Sequence, residues 1–115
     1  MIRRANEIEI KTVESLRGGA GNVIMETILT PGEMYDKGRL YAKVILEPGC
    51  SVGYHVHENE MEAYFILEGT GEYSDNGKKT TVTAGDLTYT PDGQGHAIAN
   101  TGDKPLIFIA LILSK

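Results

Sequence analysis

The sequence lacks the features that mark secreted, membrane-spanning and nucleic-acid-binding proteins. Cys50 is its only cysteine, so no disulfide can form within the chain, and a lone thiol is typical of the reducing cytoplasm. Basic residues number 11 against 16 acidic ones, and this net charge of −5 argues against nucleic acid or an anionic membrane as a partner. The longest apolar run, residues 106–113, is too short to cross a bilayer. Residues 1–11 also lack the apolar stretch of a signal peptide, so we expect a cytoplasmic protein.

A chain of 115 residues has room for one domain. We expect residues 1–115 to form a single domain, in which residues 1–38 supply N-terminal strands and loops and residues 39–113 form a barrel. The 14 glycines and 4 prolines are spread between short apolar stretches, as in an all-β protein. Only Val13–Leu16 shows a brief helical period, and Asp75-Asn76-Gly77 carries the signature of a tight hairpin turn.

Ten short segments have the alternation and composition of β-strands. They are Glu7–Val13, Asn22–Thr30, Arg39–Glu47, Gly53–Val56, Glu62–Leu67, Thr70–Ser74, Lys79–Thr83, Leu87–Thr90, His96–Asn100 and Leu106–Leu113. Strands at this spacing predict a sandwich or a small barrel.

All three histidines of the chain fall within this strand pattern. His55 and His57 are two residues apart, so on a strand their side chains point to the same face. Glu62 follows a polar turn at which the chain can reverse, and His96 begins a later strand. If the two hairpins are neighbours, three imidazoles and one carboxylate converge, a set that suits Mn²⁺, Fe²⁺, Co²⁺, Ni²⁺ or Zn²⁺. On spacing alone, ordinary strand histidines and a solvated Glu62 are an equally open alternative.

The residues around these four side chains resemble the two motifs of the cupin family. The first motif corresponds to residues 49–69, GCSVGYHVHENEMEAYFILEG, and the second to residues 85–100, GDLTYTPDGQGHAIAN. The matching positions are Gly49, His55, His57, Glu62, Gly69, Gly85, Pro91, Gly93, His96 and Asn100. The interval between the two motifs is short, which resembles small single-domain microbial cupins.

This resemblance implies a fold and a set of metal ligands. The fold is an all-β double-stranded β-helix, or jelly-roll barrel, with six strands in each sheet. His55, His57, Glu62 and His96 are implied to bind one divalent transition metal, with manganese favoured over Fe, Ni, Co or Zn. Asn100 is implied to close its hairpin by side-chain hydrogen bonds. Four protein ligands on an octahedral ion leave two positions for water, a small ligand or dioxygen.

The reaction does not follow from the resemblance, because cupins include isomerases, epimerases, dioxygenases, decarboxylases, lyases and non-enzymatic sensors. We expect an enzyme of decarboxylase, dioxygenase, isomerase or lyase type that acts on a small oxygenated metabolite, a carboxylate or a sugar derivative. The alternative is a non-catalytic module that binds or senses a small molecule. A structural dimer with a vestigial site is a third possibility, which the four filled ligand positions disfavour.

Oxalate-converting cupins resemble this chain only in part. They usually carry an Arg three residues before the first motif His to hold the second carboxylate of the substrate, and this chain has Val52 there. They also tend to place three residues, rather than four, between the second His and the Glu. An oxalate-type activity therefore stays open.

Two side chains near the predicted ligands are candidates for acid–base chemistry. Tyr64 shares the inward face of Glu62, although an inward Tyr in a barrel more often serves packing. Glu60 lies in the turn before Glu62, where a solvated carboxylate is the alternative. Residues 16–22, LRGGAGN, are rich in glycine but lack the Lys-Ser/Thr ending of a phosphate-binding loop, so we do not predict one.

The C-terminal segment predicts an assembly. Residues 106–113 are apolar at all eight positions, whereas a strand with one face in solvent should alternate. Both faces of this strand must therefore be covered. We expect a homodimer through the outer face of its sheet, with residues 7–13 crossing to the partner. The alternative is that the N-terminal segment covers this face within one chain.

Overall fold

The computed structural model describes residues 1–115 and consists of β-strands joined by turns. The strands are Ile10–Glu14 (β1), Asn22–Leu29 (β2), Gly38–Leu46 (β3), Ser51–Val56 (β4), Glu60–Glu68 (β5), Thr70–Asp75 (β6), Lys78–Thr83 (β7), Leu87–Thr90 (β8), Gly95–Asn100 (β9) and Leu106–Ser114 (β10). Short 3₁₀ turns occur at Ala5–Glu7, Leu16–Gly18 and Gly32–Met34. The structure contains no helix that is long and apolar enough to cross a membrane.

The predicted strands are all present, with small differences at their ends. The first strand begins at Ile10 rather than Glu7, because Ala5–Glu7 form a 3₁₀ turn. The helical period of Val13–Leu16 was misleading. Val13 pairs with Val23 in the ladder between β1 and β2, and sheet pairing outweighs so short a helical pattern.

The strands form two antiparallel sheets, as expected for a jelly roll. The larger sheet has the order β1-β2-β3-β10-β5-β8, and the smaller has the order β4-β9-β6-β7. The expectation of six strands in each sheet was wrong, because the smaller sheet has four strands. The N-terminal strands β1 and β2 extend only the larger sheet.

The core lies between the two sheets and follows from strand alternation. On β10, Leu106, Phe108, Ala110 and Ile112 are buried, whereas the residues between them face outward and are only partly covered. β10 lies between β3 and β5, while β1 pairs with β2 at the edge of the sheet. Within one chain, the N-terminal strand therefore does not cover the outer face of β10.

Pairing of β4 with β9 joins the two cupin-like motifs. Its register sets His55 opposite His96. Beyond the strands, the amide of His57 donates to the Gln94 carbonyl over 3.0 Å, and the amide of Gly93 donates to the His57 carbonyl over 2.7 Å. Asn100 closes the hairpin as expected, because its Nδ2 donates to the carbonyls of Leu46 and Lys104, each over 2.8 Å. The two motif hairpins are thus fixed side by side.

Candidate metal centre

Three imidazoles and one carboxylate converge between the two sheets. His96 Nε2 lies 3.1 Å from His55 Nε2, 3.1 Å from His57 Nε2 and 2.8 Å from Glu62 Oε1. One donor atom from each of the four residues lies within 4.8 Å of the others. Glu62 and His96 are buried, and the side chain of His55 retains 9% exposure. The structure therefore brings together all four predicted ligands, and this cluster can hold a metal ion.

Each imidazole is held through its other ring nitrogen. His55 Nδ1 lies 2.8 Å from the Gly53 carbonyl, and His57 Nδ1 lies 2.5 Å from Glu60 Oε2. His96 Nδ1 lies 2.9 Å from the Tyr73 hydroxyl, which also lies 3.0 Å from Thr90 Oγ1. Such outer partners set the tautomer and the ring orientation of metal-binding histidines.

These outer contacts test whether the cluster fits a metal. The Gly53 carbonyl can only accept a hydrogen bond, so His55 Nδ1 must carry the proton and its Nε2 presents a lone pair. The Glu60 carboxylate is likewise only an acceptor, so neutral His57 carries its proton on Nδ1 and also presents a lone pair on Nε2. The Tyr73 hydroxyl can accept a hydrogen bond from His96 Nδ1, and in that tautomer all three Nε2 atoms offer lone pairs to a cation placed among them. The donor set of nitrogen and hard oxygen therefore fits a divalent transition metal.

The charges of the cluster are strongly coupled. Burial alone would raise the pKa of Glu62, but the three imidazoles around its carboxylate hold this pKa well below its usual range. The hydrogen bond to Glu62 raises the pKa of His57, and Glu60 adds to this effect. Burial lowers the pKa of His96. The carboxylate is thus ionised over the whole physiological range and available as a ligand.

Glu60 is not the solvated turn residue considered above as an alternative. Its carboxylate accepts two hydrogen bonds from Arg39, at 3.0 Å from Nε and 2.8 Å from Nη2. Together with the bond to His57 Nδ1, these contacts lower the pKa of Glu60 to about 2. Only 15% of its side chain is exposed. Glu60 therefore orients His57 and is tied on its other side to Arg39, whereas the neighbouring Glu58 is exposed.

Tyr64 lies on the inward face, beside the cluster. Its ring stacks on His96 with 4.9 Å between ring centroids and also contacts Phe108 at 4.5 Å. Burial raises the pKa of Tyr64 well above its usual value, and the negative charge of Glu62 raises it further. At neutral pH the Tyr64 hydroxyl is thus protonated; it can donate or accept a hydrogen bond or donate its proton, but it cannot act as a base.

A cavity of about 180 Å³ leads to the cluster. His55, His57, Glu62 and Tyr64 are among its lining residues. The rest of the lining is mainly apolar and consists of Leu16, Val23, Met25, Leu40, Val44, Val52, Phe108, Ala110 and Ile112, together with two cations, Arg17 and Arg39.

Sequence reasoning missed four parts of this site. It assigned no role to Arg17, Arg39 or Tyr73, and it did not predict the partners of Glu60. The contacts of Arg39 and Tyr73 join residues 21 and 23 positions apart, so no local spacing signals them. Only strand alternation could have indicated one of these residues: it places Tyr73 on the inward face of its strand. In the structure Tyr73 pairs with the buried Ile98.

Comparisons with known proteins agree with the fold. The family model described as "Cupin domain" matches residues 42–112. The chain is 44% identical over 113 residues to an oxalate-binding protein of Thermotoga maritima, a match that covers 98% of this chain and 93% of that protein. A crystal structure from the same organism, described as a predicted oxalate decarboxylase, has 43% identity and a TM-score of 0.95 over the whole of both chains. The chain belongs to the cupin family.

More distant relatives carry other activities. Oxalate decarboxylase of Bacillus subtilis is 33% identical over 75 residues, which are 61% of this chain and 20% of that enzyme. The chain therefore spans only a fifth of that relative. A sugar phosphate isomerase of the cupin superfamily from Silicibacter pomeroyi has a TM-score of 0.79 at 19% identity, with 100% of this chain and 76% of that one covered. At that identity the likeness shows the fold alone.

Loss of either His55 or His96 should abolish metal binding. His55→Ala and His96→Ala each remove one of four ligands, so we expect purified protein without stoichiometric metal in elemental analysis. The melting temperature of these variants should no longer rise when metal is added. In the parent chain, free metal at 100 times Kd should stabilise the fold by about 2.7 kcal/mol. Stoichiometric metal in both variants would contradict the assigned ligands, and Lys79→Ala, far from the cluster, should retain it.

Metal affinity should fall as the pH is lowered below about 6.5, the ordinary pKa of His. Ligating imidazoles must be neutral, and the raised pKa of His57 means that protons compete with metal for its Nε2. Glu62 does not contribute, because its lowered pKa keeps it ionised. Dialysis at pH 7.5, 6.0 and 5.0 followed by metal analysis measures this. Equal retention at pH 7.5 and 5.0 would be incompatible with imidazole ligands.

Proposed function

We propose that this cupin binds one divalent transition metal, manganese in the first instance, through His55, His57, Glu62 and His96. On that metal it acts as an enzyme on a small carboxylic acid. The observation that carries the proposal is the convergence of three Nε2 atoms and one carboxylate beside a cavity. A cytoplasmic location remains a prediction that rests on the single cysteine.

The walls of the cavity favour a carboxylic acid over a sugar. A sugar exposes hydroxyl groups on most of its surface, and each needs a polar partner when it is buried. Most of the residues that line the cavity are aliphatic or aromatic, including Val23, Met25 and Phe108. The volume of about 180 Å³ lies below the range of about 300 to 1,000 Å³ typical of drug-sized ligands. A compact acid with few hydroxyls suits such a space.

The side chains around the cluster have separate tasks in this proposal. A bound divalent metal supplies a Lewis acid and open positions for a chelating oxygen. Glu60, held by Arg39, keeps the ring of His57 in its binding orientation. Tyr64 donates its proton or a hydrogen bond to the bound acid, and the apolar walls limit the access of water.

A second function, ligand binding without turnover, has support of its own. The relative that is 44% identical is named an oxalate-binding protein, and that name describes binding alone. In addition, Glu60 is engaged by Arg39 and His57, so no free carboxylate stands beside the cluster to serve as a base. The two functions differ in whether the bound acid is converted, and Tyr64 is the side chain proposed to take part in that conversion.

Replacement of Tyr64 separates the enzyme from the binding module. Tyr64→Phe removes only the hydroxyl, so we expect retained metal and a turnover lowered by about 10² to 10⁴-fold if it supplies the proton. The measurement is turnover on a panel of small carboxylic acids and sugars, with Tyr89→Phe on the outer face as the matched control. Tight binding of one acid with no turnover of any compound would favour the non-catalytic function. Glu60→Gln should instead weaken metal affinity by about 10 to 100-fold.

We also propose that the protein is a homodimer through the outer face of the larger sheet. Phe65, Leu67, Leu87 and Tyr89 lie on this face and are 40–67% exposed in the single chain. Together with the outward residues of β10 they form an apolar patch rare on a monomer.

Light scattering at micromolar concentration tests the dimer, which has a mass of twice 12.5 kDa. Ile109 lies opposite Lys43 and Phe65 on the neighbouring strands, so Ile109→Glu places a charge within the patch and should yield folded monomer. Thr81→Glu, on the exposed face of the smaller sheet, should remain dimeric. A parent mass near 12.5 kDa that does not grow with concentration would contradict the dimer.

A further inference from the structure

The turn that follows β1 lines part of the cavity and carries an exposed cation, Arg17, that has no ion-pair partner. Leu16 and Arg17 both line the cavity. Arg39, the other cation there, is neutralised by Glu60, but none of the ion pairs or side-chain hydrogen bonds of the chain involves the Arg17 guanidinium. Arg17 therefore leaves one positive charge and a set of hydrogen-bond donors available to a ligand.

This turn is fixed to β4 by backbone contacts. The Ser51 amide donates to the Ala20 carbonyl over 2.8 Å, and the Ala20 amide donates to Ser51 Oγ over 2.8 Å. A Cβ added at Gly53 would lie 2.0 Å from the Arg17 carbonyl oxygen, so only glycine permits this approach. The position of Arg17 is thus set by a rigid strand rather than by a loose loop.

Gly53 also links Arg17 to the metal cluster. Its carbonyl accepts the hydrogen bond from His55 Nδ1, while its missing side chain accommodates the backbone of Arg17. Gly53 therefore contacts both a candidate metal ligand and the backbone of Arg17. Such a fixed relation is what recognition of a ligand with two separated polar groups requires.

The backbone of Arg17 is strained, with φ 55° and ψ 30°. Glycine adopts this left-handed conformation without cost, and an arginine does not, so the turn alone would favour glycine. Strained residues of this kind cluster at functional sites. An arginine here therefore costs stability relative to glycine.

Arg17 and Tyr64 line the same cavity. Burial and Glu62 raise the pKa of Tyr64, and the positive charge of Arg17 opposes this rise to a smaller extent.

We infer that Arg17 determines specificity by binding the second anionic group of a ligand whose first carboxylate lies at the metal cluster. The inference rests on the proposed function and narrows its substrate class from carboxylic acids to small dicarboxylic acids. An ion pair with a guanidinium, which can be bidentate, supplies the selectivity for a second carboxylate.

Calorimetric titration of the manganese-loaded protein tests this inference with oxalate, malonate, succinate and the monocarboxylate acetate. Arg17→Gln should raise the Kd of the best-bound dicarboxylate by about 10 to 100-fold, because a charged hydrogen bond is lost. The Kd of acetate should change by less than about twofold, and Arg17→Lys should restore part of the affinity. Arg4→Gln removes the same charge from an exposed position outside the cavity and should change neither.

A second variant separates recognition from a structural role. Arg17→Gly removes the side chain and relieves the left-handed backbone, so its melting temperature should stay equal or rise while dicarboxylate affinity falls as in Arg17→Gln. Unchanged dicarboxylate affinity in both variants, or an equal loss for acetate, would overturn the role of Arg17 and leave the proposed function standing. Failure of the parent protein to bind any of these acids would overturn the proposed function and the inference with it.

Discussion

The pairing of β4 with β9 is the constraint on which the candidate site depends. Its register sets His55 opposite His96, and the loops beyond it join through the backbone of His57. These three histidines all belong to the smaller sheet or its loop, whereas Glu62 lies on β5 of the larger sheet. A metal at this point connects the two sheets, so its binding free energy becomes folding free energy as well. The site is therefore part of the core and not an addition to its surface.

The sequence was informative wherever the relevant distance is short along the chain. Strand alternation located all ten strands, and the spacing of His55 and His57 is local enough to indicate a common face. Pairing order is not local, and for that reason the expectation of six strands in each sheet was wrong. The same limit applies to Tyr73 and Arg39, whose partners are distant in the sequence and become neighbours only through the topology.

Glu60 illustrates how a turn residue acquires a defined role. In the sequence it is one of several carboxylates in a polar turn. In the structure β5 begins at Glu60, and the carboxylate lies between the guanidinium of Arg39 and the ring of His57. Both of its oxygens are engaged, so it orients a ligand histidine rather than serving as a free base. Tyr64 and Arg17 then remain as the polar groups that can meet a bound acid in a mainly apolar cavity.

The candidate metal ligands lie within the part of the chain that matches the cupin family, whereas Arg17 lies outside it. The cupin domain model matches residues 42–112. The four candidate metal ligands are thus part of the shared barrel, and Arg17 comes from the N-terminal turn that contacts β4. If the barrel binds the metal and the turn supplies the second contact, as proposed, a substitution in the turn can change which small molecule binds while the four metal-binding residues stay the same. The contact at Gly53 supports this separation, because it joins the ring of His55 and the backbone of Arg17 through one residue.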